Sequence, residues 1–322
     1  MPRVIMKRLL SAIPTLFAMA VISFFVMKLA PGDFLSGMRA DPLVSPEMIH
    51  AYERQYHLDA PQWQQFGYWL VGICKGDLGY SFTYKAPVSA VIVSRAANTL
   101  ILSLLTVVVT WALVIPLGLW CAQRKDSAGD RLVSFISFVS LSTPGFFVAV
   151  LALFCFKELG WFPLGGMRSL SYDLLSPGAR VLDVLHHAVL PVAILTLGSA
   201  GSLVRMMRAN VLEELGKPYV RAARAKGIGM RRVMYAHVLR NAINPMITVF
   251  GYQFSSLLSG AALVEIVFAW PGLGRVMLDA VQSSDYYLVM GGVLISGVLL
   301  IAGNLLADIL LAWADPRIRE TA

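Results

Sequence analysis

The sequence predicts an all-α membrane protein of six transmembrane helices, with a further helical segment after the first of them. Three observations carry this. Hydrophobic residues make up 57% of the 322-residue chain, charged residues only 14%, and mean hydropathy is +0.67. A soluble domain carries about a quarter charged residues, so the solvent this chain suits is lipid. Six segments approach or exceed the ~20 apolar residues that cross a hydrocarbon core, and lysine and arginine concentrate in alternate connections between them.

The six segments are Leu9–Leu29, Asn98–Ala122, Leu132–Phe156, Ala188–Met207, Ala242–Phe268 and Leu288–Trp313. The first has a basic start (Arg3, Lys7, Arg8) but an apolar run longer than a signal-peptide core, so it reads as a retained helix. Residues 1–30 then form an N-terminal transmembrane helix, 31–97 an extracytoplasmic helical segment, 98–313 a block of five spans, and 314–322 a tail. In the extracytoplasmic segment, Ser45-Pro46-Glu47 supplies an N-cap, a proline at the first helical position and an acidic first turn. Trp63, Phe66, Leu70 and Ile73 mark one face of a second short helix. This layer either packs on the mouths of the spans or meets a partner or substrate; the sequence leaves both open.

With the N-terminus inside, the inner connections hold most of the basic residues. The stretch Arg205–Arg240 alone carries nine against Glu213 and Glu214. Outer connections are balanced, as where Lys157, Arg168 and Arg180 face Glu158, Asp173 and Asp183. Both termini are therefore read as cytoplasmic. The same asymmetry accounts for the net charge of +8 without any nucleic acid. Cys74, Cys121 and Cys155 have no paired spacing for metal, redox or disulfide work.

The chain lacks a GxxxxGK[ST] phosphate loop, HExxH and GxSxG, so it has no signature for ATP binding or catalysis of its own. His186 and His187 are adjacent, about 100° apart on a helix, and read as interfacial histidines instead of metal ligands. In the fifth span Gln253, Ser256, Ser259 and Gly260 fall on one side. They mark either a pathway wall or tight helix packing. Glu265 is a gating or interhelix group, and Asp308 an anchor at the inner end of the last span. Trp270-Pro271-Gly272-Leu273-Gly274 reads as a stiff reversal, with proline fixing φ and the two glycines permitting positive φ.

The most informative stretch is Tyr219–Pro245, inside a connecting loop at 208–240. Pro218 suits the first position of a helix, and Tyr219, Ala222, Ala223 and Lys226 then share one face. Gly227-Ile228-Gly229 breaks the helix, and a second begins near Met230. Alanine and glycine on that face, where a membrane-surface helix would carry large apolar residues, suit docking into a protein groove.

This spacing resembles the signature of membrane subunits of binding-protein-dependent ABC importers: two alanines, three residues, a glycine, then a leucine leading into the next span. Here Ala222, Ala223, Gly227 and Leu239 occupy those places, with Arg221 where the pattern has glutamate and Arg240 where it has proline. Both departures, together with RAARAKG (Arg221–Gly227), HVLRNA (His237–Ala242), VFAWPGLGR (Val267–Arg275), GDLGYS (Gly76–Ser81) and DPRIR (Asp315–Arg319), resemble the dipeptide and oligopeptide branch. The resemblance covers essentially the whole chain. It implies a type I ABC importer permease fold and alternating access, with Tyr219, Ala222, Ala223, Arg224 and Gly227 coupling to an ATPase. The small, polar face of the fifth span, Gln253, Ser256, Ser259 and Gly260, together with Glu265, is expected along the pathway, and the resemblance implies Trp270, Pro271, Gly272 and Gly274 on the receptor side. The implied partners are a second homologous permease subunit, two ATPase subunits or domains that hold ATP and Mg²⁺, an extracytoplasmic solute-binding protein and membrane lipid. Within this class the cargo is a di- or oligopeptide, with nickel, glutathione or another small solute as alternatives. A secondary transporter would need charged groups at mid-membrane, and a membrane enzyme a nucleophile–base or metal set.

Overall fold

The computed structural model describes residues 2–29, 35, 39, 43–55, 58–247, 249–250, 253 and 261–314. Its helices are α1 (Pro2–Leu29), α2 (Pro46–Gln55), α3 (Gln62–Cys74), α4 (Val88–Gln123), α5 (Ala128–Ser142), α6 (Gly145–Lys157), α7 (Pro177–Leu215), α8 (Pro218–Ala225), α9 (Met230–Val233), α10 (Leu239–Ala242), α11 (Ala262–Val267), α12 (Leu273–Gln282) and α13 (Tyr286–Ala314). Among the described residues, two short strands, Tyr80–Ser81 and Ala86–Pro87, pair antiparallel, and the other regular elements are helical. Among the described residues, four helices carry stretches long and apolar enough to cross a membrane: Leu10–Leu29, Val88–Gln123, Pro177–Leu215 and Tyr286–Leu306.

The third expected span is not one straight helix. Leu132–Phe156 is divided between α5 and α6, which bend by 105° at the break. The cause is Pro144. It lacks an N–H for the helix ladder and drives the preceding residue out of helical geometry; Thr143 accordingly sits at φ −105°, ψ 125°. The Thr143 N–H and hydroxyl both donate to the Val139 carbonyl, at 3.0 and 2.9 Å, and close the end of α5 there. The second and fourth spans are parts of longer helices: α4 starts at Val88, well before Asn98, and α7 extends beyond Ala188–Met207 at both ends. Of the expected fifth span, residues 248, 251–252 and 254–260 lie outside the described residues.

The chain divides into two compact units. One comprises Met6–Thr99 and Pro271–Ile301. Its first core joins α1, α3 and α13 through Ala20, Phe24, Trp69, Tyr286, Met290 and Leu294. The inward face of α3 is Phe66, Trp69 and Ile73, whereas Trp63, expected on that face, is 68% exposed. Helical spacing places it with Phe66 and Ile73, but the face turns on the buried Trp69, and Trp63, six residues before it, lies about 120° round the helix. Ser45 caps α2 as expected, its hydroxyl accepting from the Met48 N–H at 3.3 Å. The buried Asp285 carboxylate organises the far end of this unit. It accepts from the Ser81 hydroxyl at 2.7 Å and the Thr83 N–H at 3.1 Å, and caps α13 by accepting from the Leu288 N–H at 3.2 Å.

The other unit is centred on Leu100–Trp270. Its largest core runs through Val114, Leu119, Met207, Val211, Val220, Val233, Met234 and Val238. Helices approach closely where side chains are absent: a Cβ at Gly201 would lie 2.8 Å from the Ser137 carbonyl oxygen. Asp130, in the first turn of α5, is buried and forms a two-pronged pair with Arg208 of α7, both contacts 2.7 Å. Ser127 caps that same turn, accepting from the Asp130 N–H at 3.2 Å.

Candidate coupling loop and pathway residues

α7 passes into α8 through a two-residue elbow. Gly216 keeps helical dihedrals (φ −76°, ψ −14°) and Lys217 is extended (φ −73°, ψ 150°), after which Pro218 starts α8. Proline at that point loses no hydrogen bond, because the first N–H groups of a helix have no partner inside it. Val220 is buried, and Tyr219 and Ala223 pack beside it against the core of their unit. Arg221, Ala222, Arg224, Ala225 and Lys226 are exposed. The stripe expected to face a partner is therefore split along its length. Its Tyr219–Ala223 side is covered by this chain's own core, and its Ala222–Lys226 side is open. Val220 decides the rotation, since burying an aliphatic side chain is worth about 1.5–3 kcal/mol.

Gly227 ends α8 at φ +78°. The Ile228 N–H donates to the Ala223 carbonyl at 3.2 Å and the Gly227 N–H to the Arg224 carbonyl at 2.9 Å, the paired closing bonds of a helix terminated by a left-handed residue. Ile228 folds back onto the core. A Cβ placed on Gly227 would meet nothing within 4 Å. α9 follows from Met230, where the sequence predicts a second helix, and continues through one wide π turn, Met234–Val238, into α10. The outward surface of this helix–glycine–helix unit carries Arg221, Arg224, Lys226, Arg231 and Arg232 around Ala222.

Sequence reasoning passed over the polar cluster at the elbow. Glu214, in the last turn of α7, is buried. One carboxylate oxygen accepts from the Lys217 ammonium and the other from the Tyr219 hydroxyl, the latter at 2.7 Å. The Tyr219 oxygen in turn accepts from the Asn241 side-chain amide at 3.3 Å, and the Asn210 amide donates to the Ala242 carbonyl at 3.1 Å. Burial and then the bond to Glu214 push the Tyr219 phenol above its usual range. The bond to Glu214 raises Lys217 likewise. One signal was legible. A glutamate at a helix C-terminus stands at the unfavourable end of the helix dipole and calls for a compensating partner.

Elsewhere the expected site residues disperse. Gln253 is buried, its amide oxygen accepting from the Trp111 indole N–H at 2.8 Å. Ser256, Ser259 and Gly260 lie outside the described residues, as does the side chain of Asp308. Glu265 is fully buried in α11. Trp270 is fully buried beside Leu102, Met167, Ala188 and Val192. The reversal there does not use its glycines as expected. Ala269 takes the left-handed conformation (φ 49°), with the Trp270 N–H donating to the Glu265 carbonyl at 2.8 Å. Gly272 is extended (φ −94°, ψ −177°), and Gly274 belongs to α12. The Pro271 carbonyl accepts from the Asn98 amide at 2.9 Å. His187 Nδ1 is bonded to the Asp183 carbonyl at 2.8 Å and His186 Nε2 to the Trp161 carbonyl at 3.0 Å. No group of three potential metal ligands occurs among the described residues.

Residues 114–320 match the family described as binding-protein-dependent transport system inner membrane component, and residues 1–104 match its N-terminal companion. The chain belongs to this family. Its members are the translocation components of ABC importers, and this member is accordingly a multi-pass membrane protein. Among relatives, it is 39% identical to the oligopeptide transport system permease protein AppB of Bacillus subtilis, over 98% of each chain. It is 38% identical to a putative peptide transport system permease protein of Brucella abortus over 99% of each. It is 34% identical to the dipeptide transport system permease protein DppB of Escherichia coli over 98% of each. Among solved structures it resembles the inward-facing MetNI methionine ABC transporter, with a TM-score of 0.53 and 17% identity over 70% of this chain and 96% of that one. The type I importer fold expected from the sequence is thus shared with a known importer of this class.

Proposed function

We propose that this family member is the membrane subunit of an ATP-driven importer of di- and oligopeptides, forming half of the translocation pathway in the cytoplasmic membrane. Full-length relatives named as peptide permeases support the cargo. The observation that carries the mechanism is the α8–Gly227–α9 unit, two short helices fixed to the core by Val220 and Ile228 while Ala222 and five basic side chains face outward. That surface has the shape and charge to seat in a groove of a cytoplasmic ATPase. ATP and Mg²⁺ belong to the partner pair, which on closing moves this docked unit, and the movement opens the pathway toward a loaded extracytoplasmic binding protein. A second, similar permease subunit supplies the other half. Both termini are cytoplasmic, and residues 31–97 lie outside. Gln253, Ser256, Ser259, Gly260 and Glu265 belong to the pathway half of the molecule, with Trp270, Pro271, Gly272 and Gly274 toward the receptor.

The test compares two neighbouring alanines. Ala222→Trp adds bulk to the open side of α8 and is expected to abolish co-purification with the ATPase while the subunit still inserts and folds. Ala223→Trp adds the same bulk against the core and is expected to destabilise the subunit itself. Normal ATPase association and peptide uptake by Ala222→Trp would exclude this surface as the docking site.

A further inference from the structure

The elbow cluster has a role that docking alone does not require. α7 and α8 are joined by Gly216 and Lys217 only, so four backbone dihedrals set the angle between them. Gly216 is the residue type least able to stiffen such a junction. The backbone bonds at the elbow close the end of α7, from the Gly216 N–H to the Glu213 carbonyl and from the Lys217 N–H to the Glu214 carbonyl, and open α8, from the Val220 N–H to the Lys217 carbonyl, all at 3.1 Å; side chains bridge from one helix to the other. The buried Glu214 carboxylate reaches across it to both Lys217 and the Tyr219 hydroxyl, and the hydroxyl is held from the other side by Asn241 of α10. Arg221 adds a bond to the Gly216 carbonyl at 3.1 Å. Three helices therefore converge on one phenol oxygen.

We infer that Glu214, Tyr219 and Asn241 form a latch that locks the elbow, so that α8 moves as one body with α7 and α10 and does not fold back under load. This deepens the proposed function and rests on it. The latch residues are positioning residues, separate from the open face: Glu214 and the packed side of Tyr219 are covered by this chain, while the partner meets Ala222 and the basic side chains. A hydrogen bond to a charged group contributes about 1.5–3 kcal/mol. Removing the phenol hydroxyl therefore raises the population of bent elbows about tenfold or more. A docked ATPase stroke is then absorbed in the elbow, and fewer strokes reach the spans.

The experiment uses the complete transporter, permeases and ATPases together, reconstituted in liposomes with its binding protein. It reads peptide molecules imported per ATP hydrolysed and the ATPase-to-permease ratio after purification. Tyr219→Phe removes only the hydroxyl, and is expected to lower import per ATP severalfold while the ATPase ratio stays at the unmodified value. Glu214→Gln keeps an acceptor for the phenol, and its import per ATP is expected to fall less than that of Glu214→Ala. Unchanged import per ATP in Tyr219→Phe overturns the latch. A fall that merely follows loss of the ATPase from the complex overturns it too, since the cluster would then serve folding or docking only. If the unmodified permease carries no ATPase at all, the proposed function itself fails, a result distinct from either.

Discussion

Replacing Gly227 with alanine separates two reasons for a glycine at the end of α8. The residue sits at φ +78°, a conformation that costs an L-residue with a Cβ roughly 1–2 kcal/mol. A Cβ there would touch nothing within 4 Å, so no steric contribution within the chain adds to that figure. A loss of 1–2 kcal/mol multiplies an opening equilibrium about 5–30-fold. The amide that reports it is Ile228, whose N–H closes the helix end on the Ala223 carbonyl at 3.2 Å. Hydrogen exchange of this segment in detergent-solubilised protein is therefore expected to accelerate by that factor in Gly227→Ala. It is expected to accelerate less in Gly227→Asn, because asparagine tolerates the left-handed region better than alanine. Unchanged exchange in the alanine variant would refute the strain argument. So would asparagine exchanging as fast as alanine, since the two differ mainly in their tolerance of that φ.

Two further perturbations follow from the same geometry. Ala269→Gly is expected to raise the thermal midpoint slightly, a gain of at most about 1 kcal/mol, because glycine relieves the left-handed strain at φ 49° but loses more freedom on folding; a lower midpoint would show that the alanine methyl contributes more than the strain it suffers. Asp130→Ala leaves the Arg208 guanidinium without the carboxylate it grips at 2.7 Å. Breaking such a buried pair costs about 3–5 kcal/mol, and the lower end is expected because Arg208 keeps some solvent access; a melting temperature within a degree of the unmodified protein would contradict it.

The long apolar helices were legible because lipid imposes one requirement, a run of about 20 apolar residues, and α1, α4, α7 and α13 each satisfy it. The break at Thr143–Pro144 was also in the sequence, but a hydropathy window averages over a single proline, and the flanking phenylalanines and valines hid it. Gly227 was read correctly as a breaker, since a glycine between two amphipathic stretches has few other uses. Gly272 and Gly274 were read as turn-formers by residue type, whereas the residue that turns is Ala269, held by the helix-end bonds and the burial of Trp270. The split face of α8 needed knowledge of what lay beneath Val220. The Glu214–Tyr219–Asn241 cluster needed it twice over, because Asn241 arrives from 22 residues further along the chain. Periodicity describes one helix at a time, and such contacts belong to several.

The length of α7 has a mechanical consequence. Its 39 residues span about 58 Å at 1.5 Å per residue, so a rigid tilt of about 5° pivoted at one end displaces the other by about 5 Å, close to one helical pitch. Pro191 interrupts this rod: it cannot donate to the His187 carbonyl, and such a site bends more easily than its surroundings. The stiff portion is then the stretch from Pro191 to Leu215, about 36 Å long, and the same tilt moves its end by about 3 Å. A rod of this kind converts a rotation too small to disturb its own hydrogen bonds into a translation the size of a methyl group or more. Interdigitated side chains do not yield continuously to shifts of that size; they hold their register or change it.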